Sequence, residues 1–327
     1  MDEIKVDTIL VDEEYKLGTR ISKKFTEPVY LGFPTNSFIS LNDSLYVASK
    51  QRIYVMDEKG TWQRTVGHKG RGPGEFDSFV KIENNDKHIY AFDYGSSRIH
   101  KYDYKLNLVS SVNLTFDYSP LWKSFAFSDT RLYLKSNLNP NDDLISVYDL
   151  EGMEGEIETF WPKIIPNGSQ PNAYNTVLID ANKNKDLAIT HLGTPYLFMF
   201  DTENKRIEHV MYFKSSKFQV SENPSLRPIK DEGNSEKARV RTFIKQIILK
   251  DNQTIYFTVG KNIYQVIKVD QNYYLNNAWC FVYKNDLKKE GQTKTIDFSS
   301  FIIESGSIYF ITFLDGYIYR LRLNESV

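Results

Sequence analysis

The residues best suited to chemistry gather around one stretch, Val66-Gly67-His68-Lys69-Gly70-Arg71-Gly72-Pro73-Gly74-Glu75-Phe76, which holds four glycines and a proline in eleven residues. Glycine permits positive φ and lets a second group come close to the backbone. Successive exposed N–H groups with Arg71 beside them would suit an anionic or polar ligand group. The same composition also suits a plain tight crossover between two structural units, with Arg71 and Glu75 paired. A phosphate loop is excluded, because neither a Gly-Lys-Ser/Thr ending nor a helix follows.

Elsewhere the chemistry is thin. The five histidines, His68, His88, His100, His191 and His209, show no His-x-x-x-His or other metal-ligand spacing. His88, His100 and His209 fall in or near strand-like runs and read as structural, whereas His68 and His191 fall at loop positions. No Gly-x-Ser-x-Gly elbow offers a serine nucleophile. The single cysteine, Cys280, sits in an apolar run and reads as a small buried hydrophobe. No catalytic residue, metal ligand or cofactor is assigned. Asp57, Asp103, Asp149 and Asp201 each end an apolar segment just before a turn. Asp at that place bonds its own backbone as an Asx-turn, so all four read as structural.

The elements that must position these residues show first in the composition. Of 327 residues 41% are hydrophobic, with 22 Tyr and 21 Phe, enough for a sizeable core and biased towards pleated, half-buried surfaces. The formal net charge is −1, with acids and bases interspersed, which gives no reason to expect nucleic acid or an anionic membrane as partner. No apolar run approaches the ~18 residues of a transmembrane segment. Met1-Asp2-Glu3 is acidic where a secretory leader would be basic. Either the protein is cytoplasmic, or the chain is a mature form whose leader was replaced by Met1.

A strand-like pentad recurs six times: Leu45–Ser49, Ile89–Asp93, Leu132–Ser136, Leu187–His191, Ile255–Val259 and Ile308–Thr312. Upstream of each lies an apolar segment, Ser-Phe-apolar in four copies. Downstream lies a third segment, often ending in Asp, and then a more polar fourth such as Trp62–Val66. Four short strands joined by tight turns and repeated in this way describe propeller blades. The expected fold is all-β, one six-bladed β-propeller of four-stranded antiparallel blades over residues 1–327. Blade one spans 36–66, blade two 77–114, blade three 123–160, blade four 175–213, blade five 245–298 and blade six 299–323. Blade six lacks a fourth strand, so the N-terminal segment 4–11 is placed there to close the ring and leave no open edge. Two polar or Tyr-bearing stretches break the period: an excursion at 214–241, and 260–277, read as an insertion between the second and third strands of blade five. Both are long enough to carry function.

The run Gly67–Phe76, followed by Ile89–Asp93 and Arg98–Asp103, resembles a repeat of the NHL type, and its Gly-Arg-Gly-Pro-Gly-Glu-Phe form resembles the six-bladed, TolB-like propellers of Bacteroidetes. That resemblance covers blades one and two and implies an exported, lipoprotein-like propeller of the cell envelope, in the periplasm or on the outer membrane. One departure is that the Gly-rich bridge occurs once and not in every blade.

In a propeller, the bridges between blades and the loops between second and third strands share one face, here called the top. The Gly-rich bridge is expected there, heading towards the central axis, beside Tyr94 and Arg98 of the Asp93–Arg98 loop. The repeat register puts Asn36, Asp77, Lys123, Asn175, Lys245 and Ser299 at the channel mouth. One carboxylate and two ammonium groups suit a divalent cation poorly. The next ring, Ser37, Ser78, Ser124, Thr176, Gln246 and Ser300, carries no charge. The reading is a non-catalytic binding or scaffold propeller, expected to be a monomer, that recognises a protein, peptide or glycan on its top face. Its contacts are drawn from His68, Arg71, Glu75, Asp77, Tyr94, Arg98, Trp122, Lys123, Asn175, His191 and Lys245, with the 214–241 excursion. The alternative is a calcium-assisted lactonase or hydrolase, or a lyase, on the same fold.

Overall fold

The computed structural model describes residues 5–10, 19–21, 29–30, 37–57, 61–78, 80–85, 87–114, 125–128, 131–135, 143–150, 156–162, 177–182, 186–191, 194–214, 244–251, 253–259, 262–284, 293–295, 298–304, 307–312 and 317–322. Three short strands open the chain: β1 (Lys5–Leu10), β2 (Thr19–Ile21) and β3 (Val29–Tyr30). Blade one is β4 (Ser37–Leu41), β5 (Ser44–Ser49), β6 (Arg52–Asp57) and β7 (Trp62–Val66). Blade two is β8 (Val80–Asn84), β9 (Ile89–Asp93), β10 (Arg98–Tyr102) and β11 (Leu108–Asn113). Blade three is β12 (Phe125–Ser128), β13 (Arg131–Lys135), β14 (Asp143–Asp149) and β15 (Glu156–Pro162). Blade four is β16 (Val177–Ala181), β17 (Asp186–His191), β18 (Tyr196–Asp201) and β19 (Arg206–Lys214). Blade five is β20 (Ile244–Leu249), β21 (Thr254–Val259), β22 (Asn262–Val269) and β23 (Asn272–Lys284), with β24 (Thr293–Thr295) on β23. Blade six takes β25 (Phe298–Glu304), β26 (Ser307–Thr312) and β27 (Tyr317–Arg322).

Each blade is an antiparallel meander, and the inner strands β4, β8, β12, β16, β20 and β25 touch one another in turn, with β25 returning to β4. The result is a closed six-bladed β-propeller. The strand sequences follow from their depth. Second strands are covered on both faces by neighbouring blades, so β9 (Ile-Tyr-Ala-Phe-Asp) is buried at every position. The outermost strand β7 meets water, and its first three residues are exposed. The core lies between blades: Ile39, Tyr46, Ile53 and Val55 of blade one pack with Ile82, Ile89, Ala91 and Tyr102 of blade two. The predicted Asx-turn forms at Asp201, whose Oδ1 accepts Glu203 N–H at 2.8 Å; Asp57 and Asp103 also hold their turns, but by accepting the N–H groups four residues on, of Thr61 and Asn107, at 2.7 and 2.8 Å.

Side chains stitch the inner strands together across the blades. Ser37 Oγ donates to Ile82 O at 3.0 Å, joining blade one to blade two. Asp180 Oδ2 accepts Leu249 N–H at 2.7 Å, joining four to five. Gln246 donates to Phe301 O at 2.7 Å and accepts Phe301 N–H at 3.1 Å, joining five to six. Between two and three, Lys81 Nζ sits 3.7 Å above the Phe125 ring and 3.2 Å from Glu83. Two members of the uncharged second ring, Ser37 and Gln246, thus serve the backbone of the next blade.

Two expectations about strand order are corrected. The segment 4–11 does not complete blade six. Instead β1 runs parallel to β19 on the outer edge of blade four. Its Asp7 explains the choice, since Asp7 Oδ2 accepts His209 Nε2–H at 2.7 Å and Tyr273 N–H at 2.9 Å, at the seam between blades four and five. β2 runs parallel to β23 of blade five, and β3 supplies the fourth strand of blade six through Tyr30↔Tyr317 and Val29↔Ile318. The ring is still closed by the N-terminal region, but by a later part of it. Nor is 260–277 an insertion. β22 pairs with β21 along its length from Val259↔Asn262, and β23 follows, so this stretch holds the third strand and part of the fourth. Apart from Lys214, the 214–241 excursion lies outside the described residues.

Candidate functional site

The Gly-rich bridge leaves β7 at Gly67, where φ is +86°. A Cβ there would lie 2.3 Å from the Phe76 ring, so no side chain fits. Phe76 is fully buried between blades one and two and meets the His100 ring edge-on at 5.1 Å between centroids. The bridge folds on itself: Phe76 N–H donates to His68 O at 2.9 Å and Gly70 N–H to Phe76 O at 3.0 Å. At its tip, Glu75 N–H reaches Gly72 O at 3.1 Å, with Pro73 and Gly74 at the turn centre and Gly74 at φ +78°, the signature of a type II turn.

The predicted pairing of Arg71 with Glu75 is not formed. Arg71 bonds Asp77 Oδ2 through Nε at 3.0 Å and Nη2 at 2.9 Å. Glu75 Oε2 accepts Gly72 N–H at 2.7 Å, and Oε1 meets His68 Nε2 at 2.9 Å. The Gly72 N–H, then His68, and more weakly the Arg71 N–H hold the Glu75 carboxyl below its usual range. Backbone donors win Glu75 because the turn delivers its side chain onto them, four residues from the arginine.

The bridge also leans outward, not towards the axis. Gly74 N–H donates to His100 Nδ1 on β10 at 3.3 Å, and a Cβ on Gly74 would stand 3.6 Å from Leu108 on β11. Arg98 holds the tip through Nη1, which donates to Arg71 O and, at 3.2 Å, to Gly72 O, while its Nε donates to Asn113 Oδ1 at 2.7 Å. Where the bridge turns in towards β8, the fully buried Asp93 takes over. Its carboxylate accepts Asp77 N–H at 2.7 Å, Ser78 N–H at 3.1 Å, Gly95 N–H at 3.1 Å and Ser96 Oγ–H at 2.6 Å. One carboxylate therefore locks the bridge to the second loop of blade two.

His100 is wholly buried, and burial, aided by the Arg98 guanidinium, lowers its pKa to about 4. Its Nδ1 accepts from Gly74 and lies 2.7 Å from Ser111 Oγ, which assigns the proton to Nε2. Among the described residues Nε2 has no hydrogen-bond partner.

The structure thus brings together His68, Arg71, Glu75, Asp77 and Arg98. Side-chain exposure is 79% for Arg71 and 66% for His68, and Lys69 beside them is exposed. Tyr94 is half-buried and packs edge-on against Phe92 at 4.6 Å. His191 does not reach the top face. It is 2% exposed, and its Nε2 accepts the Trp161 indole N–H at 2.7 Å. Trp161 sits at φ +73°, a strained backbone for a bulky residue. Lys245 lies in β20 at a bulge between Ile244 and Gln246. Trp122, Lys123, Asn175 and Asn36 lie outside the described residues. Among the described residues no three His, Cys, Asp or Glu side chains converge as a metal site requires, and no helix is long and apolar enough to cross a membrane.

Sequence reasoning missed two polar groups. Asp180, on β16, has its carboxyl raised to about 7 by burial and by Glu83, against Leu249 N–H and Lys81. Asp93 ends its pentad where the other copies carry Ser49, Ser136, His191, Val259 and Thr312; that singular acid beside the singular bridge was the available signal.

The DUF5128 family, described as a 6-bladed beta-propeller, matches residues 37–313, and the chain belongs to it. No curated protein matches the sequence. Among solved structures, a protein of Bacteroides fragilis NCTC 9343, provisionally described as exported, is similar with a TM-score of 0.55 at 13% identity, over 94% of this chain and 88% of that one. A duf4221 family member from Bacteroides vulgatus ATCC 8482 gives 0.51 at 14% identity, over 92% and 96%. Streptogramin B lyase gives 0.50 at 13%, over 92% and 98%. At these identities the likeness is one of fold.

Proposed function

We propose that this member of the six-bladed DUF5128 propellers is a non-catalytic binding module acting outside the cytoplasm, and that it recognises a protein, peptide or glycan on the top face at the junction of blades one and two. The observation that carries the proposal is the combination of a locked loop with an exposed display. Asp93, Arg98 and His100 fix the backbone of residues 70–78, while His68, Lys69 and Arg71 stand in solvent. A surface pre-organised in this way loses little entropy on binding. The similarity to an exported Bacteroides protein supports the location. A lyase or metal-assisted hydrolase is the alternative. It rests on a fold shared with streptogramin B lyase, while His100, His191 and His209 are committed to the framework.

The test selects a ligand first, from a random-peptide library and a glycan array. Its affinity is then measured by calorimetry for wild type, for Lys69→Ala/Arg71→Ala, and for Lys105→Ala, an exposed residue in the turn between β10 and β11 at the opposite end of blade two. The double variant should bind roughly tenfold more weakly and the control should bind normally. Unchanged affinity in the double variant would end the top-face reading.

A further inference from the structure

The stretch that invites an anion already holds one. Glu75 places one carboxylate oxygen on Gly72 N–H at 2.7 Å and the other on His68 Nε2 at 2.9 Å. The cradle is made by the absence of side chains. A Cβ on Gly70 would lie 2.1 Å from Glu75 Oε2, and one on Gly72 would lie 2.9 Å from it. A backbone with any other residues here would shut the carboxylate out. The occupied cradle is not sealed, since the Glu75 side chain is 32% exposed and that of His68 66%. Exposed Lys69 adds positive charge beside it, while Arg71 is already paired with Asp77, so a second carboxylate approaching from solvent meets attraction and a reachable pair of donors.

We infer that Gly72 N–H and His68, beside the bare Cα of Gly70, form a carboxylate-binding site, that Glu75 fills it as an intramolecular ligand, and that the carboxylate of an incoming ligand displaces Glu75. This rests on the top-face reading and names the chemistry of the ligand: an acidic peptide side chain or C-terminus, or a uronic acid. Glu75 sets the threshold. A tethered group competes at an effective concentration of about millimolar or above, so an incoming carboxylate wins only with further contacts, for which exposed Lys69 is placed.

The test uses acetate, which needs no knowledge of the partner. Glu75→Ala is titrated with sodium acetate, with sodium chloride as the ionic-strength control, and followed by ligand-observed NMR and by Tm. Saturable acetate binding, with Tm rising in acetate and not in chloride, is expected. Wild type should bind roughly tenfold more weakly, because its own carboxylate competes. Glu75→Gln, which keeps an acceptor oxygen for Gly72 N–H but loses the charge and the second oxygen, should fall between Glu75→Ala and wild type. No preference for acetate over chloride in Glu75→Ala would overturn the inference. If that variant does not fold, the Gly72 amide resonance of the wild-type protein decides. A saturable shift in acetate supports the site, and a drift equal to that in chloride overturns it. Acetyl-glutamate amide and methyl glucuronoside, run in parallel, distinguish a peptide source from a sugar source. Acetate binding alongside normal ligand capture by Lys69→Ala/Arg71→Ala would keep this site and end the top-face reading.

Discussion

Replacing Asp180 by Asn should stabilise the protein at pH 8 and leave it unchanged at pH 4. The Asp180 carboxyl, ordinarily near 3.8, is raised to about 7 by burial and by Glu83, although Leu249 N–H and Lys81 act against the shift. An acid with a raised native pKa keeps a proton that the unfolded chain has already released. Stability therefore falls as pH climbs from about 4 to about 7 and is level beyond. Roughly three pH units at about 1.36 kcal/mol each set an upper figure of about 4 kcal/mol. Asp180 is only partly buried in surface terms, so solvent screens some of the penalty, and about 2 kcal/mol is the expected gain. Asn keeps an oxygen for Leu249 N–H and removes the charge. The assay is calorimetric Tm for both proteins at each unit from pH 4 to pH 8. His100 acts in the opposite sense over part of this range, so the difference between the two proteins is the quantity to read. That difference should be positive at pH 8 and vanish towards pH 4. A Tm at pH 8 equal to or below wild type would refute the reasoning and show that Lys81 already neutralises an ionised Asp180.

Asp93→Ala should cost about 2–4 kcal/mol in urea unfolding, because it strands the half-buried N–H groups of Asp77 and Ser78 that share its carboxylate, at about 1–3 kcal/mol each when unmade, while exposed Gly95 can turn to water; a loss under about 1 kcal/mol would mean that other acceptors replace it. Below pH 6.5 the unfolded chain takes up a proton at His100 that the native state refuses down to about 4. His100 should accordingly cost wild type about 3 kcal/mol between those values relative to His100→Asn, which keeps an acceptor for Gly74; Asp180 acts the other way in both proteins and cancels from the difference between their Tm values.

The period of the chain was legible because propeller strands differ in burial, and burial writes composition. Fully covered β9 reads Ile-Tyr-Ala-Phe-Asp, while the outermost β7 reads Trp-Gln-Arg-Thr-Val with its first half exposed. The asymmetry of the bridge was legible too, since glycine marks places where a side chain would collide. What the glycines admit was not. Arg71 and Glu75 look like partners in sequence, but geometry hands Glu75 to Gly72 and His68 and leaves Asp77 for Arg71. Strand placement failed where pairing partners are distant. β1 and β3 are similar short extended segments, and only Asp7 meeting His209 and Tyr273 distinguishes the berth of the first. In blade five, the Tyr-bearing stretch 260–277 reads as an insertion because the second and third strands, paired from Val259↔Asn262, follow each other so closely that the sequence shows no break between them.

The three N-terminal strands also set an order of assembly. β1 pairs with residues made about two hundred positions later, and β2 and β3 with still later ones. Emerging from a ribosome or threading through a translocation pore, these segments have no berth until blades four, five and six exist. Such long-range pairings are the slow ones in folding. Until they form, the outer edges of β19, β23 and β27 are open templates for a strand from any neighbouring chain. The belt that finishes the ring is thus made before the blades and fastened after them. Crowded, partly made chains would be most at risk of mispairing on those three edges.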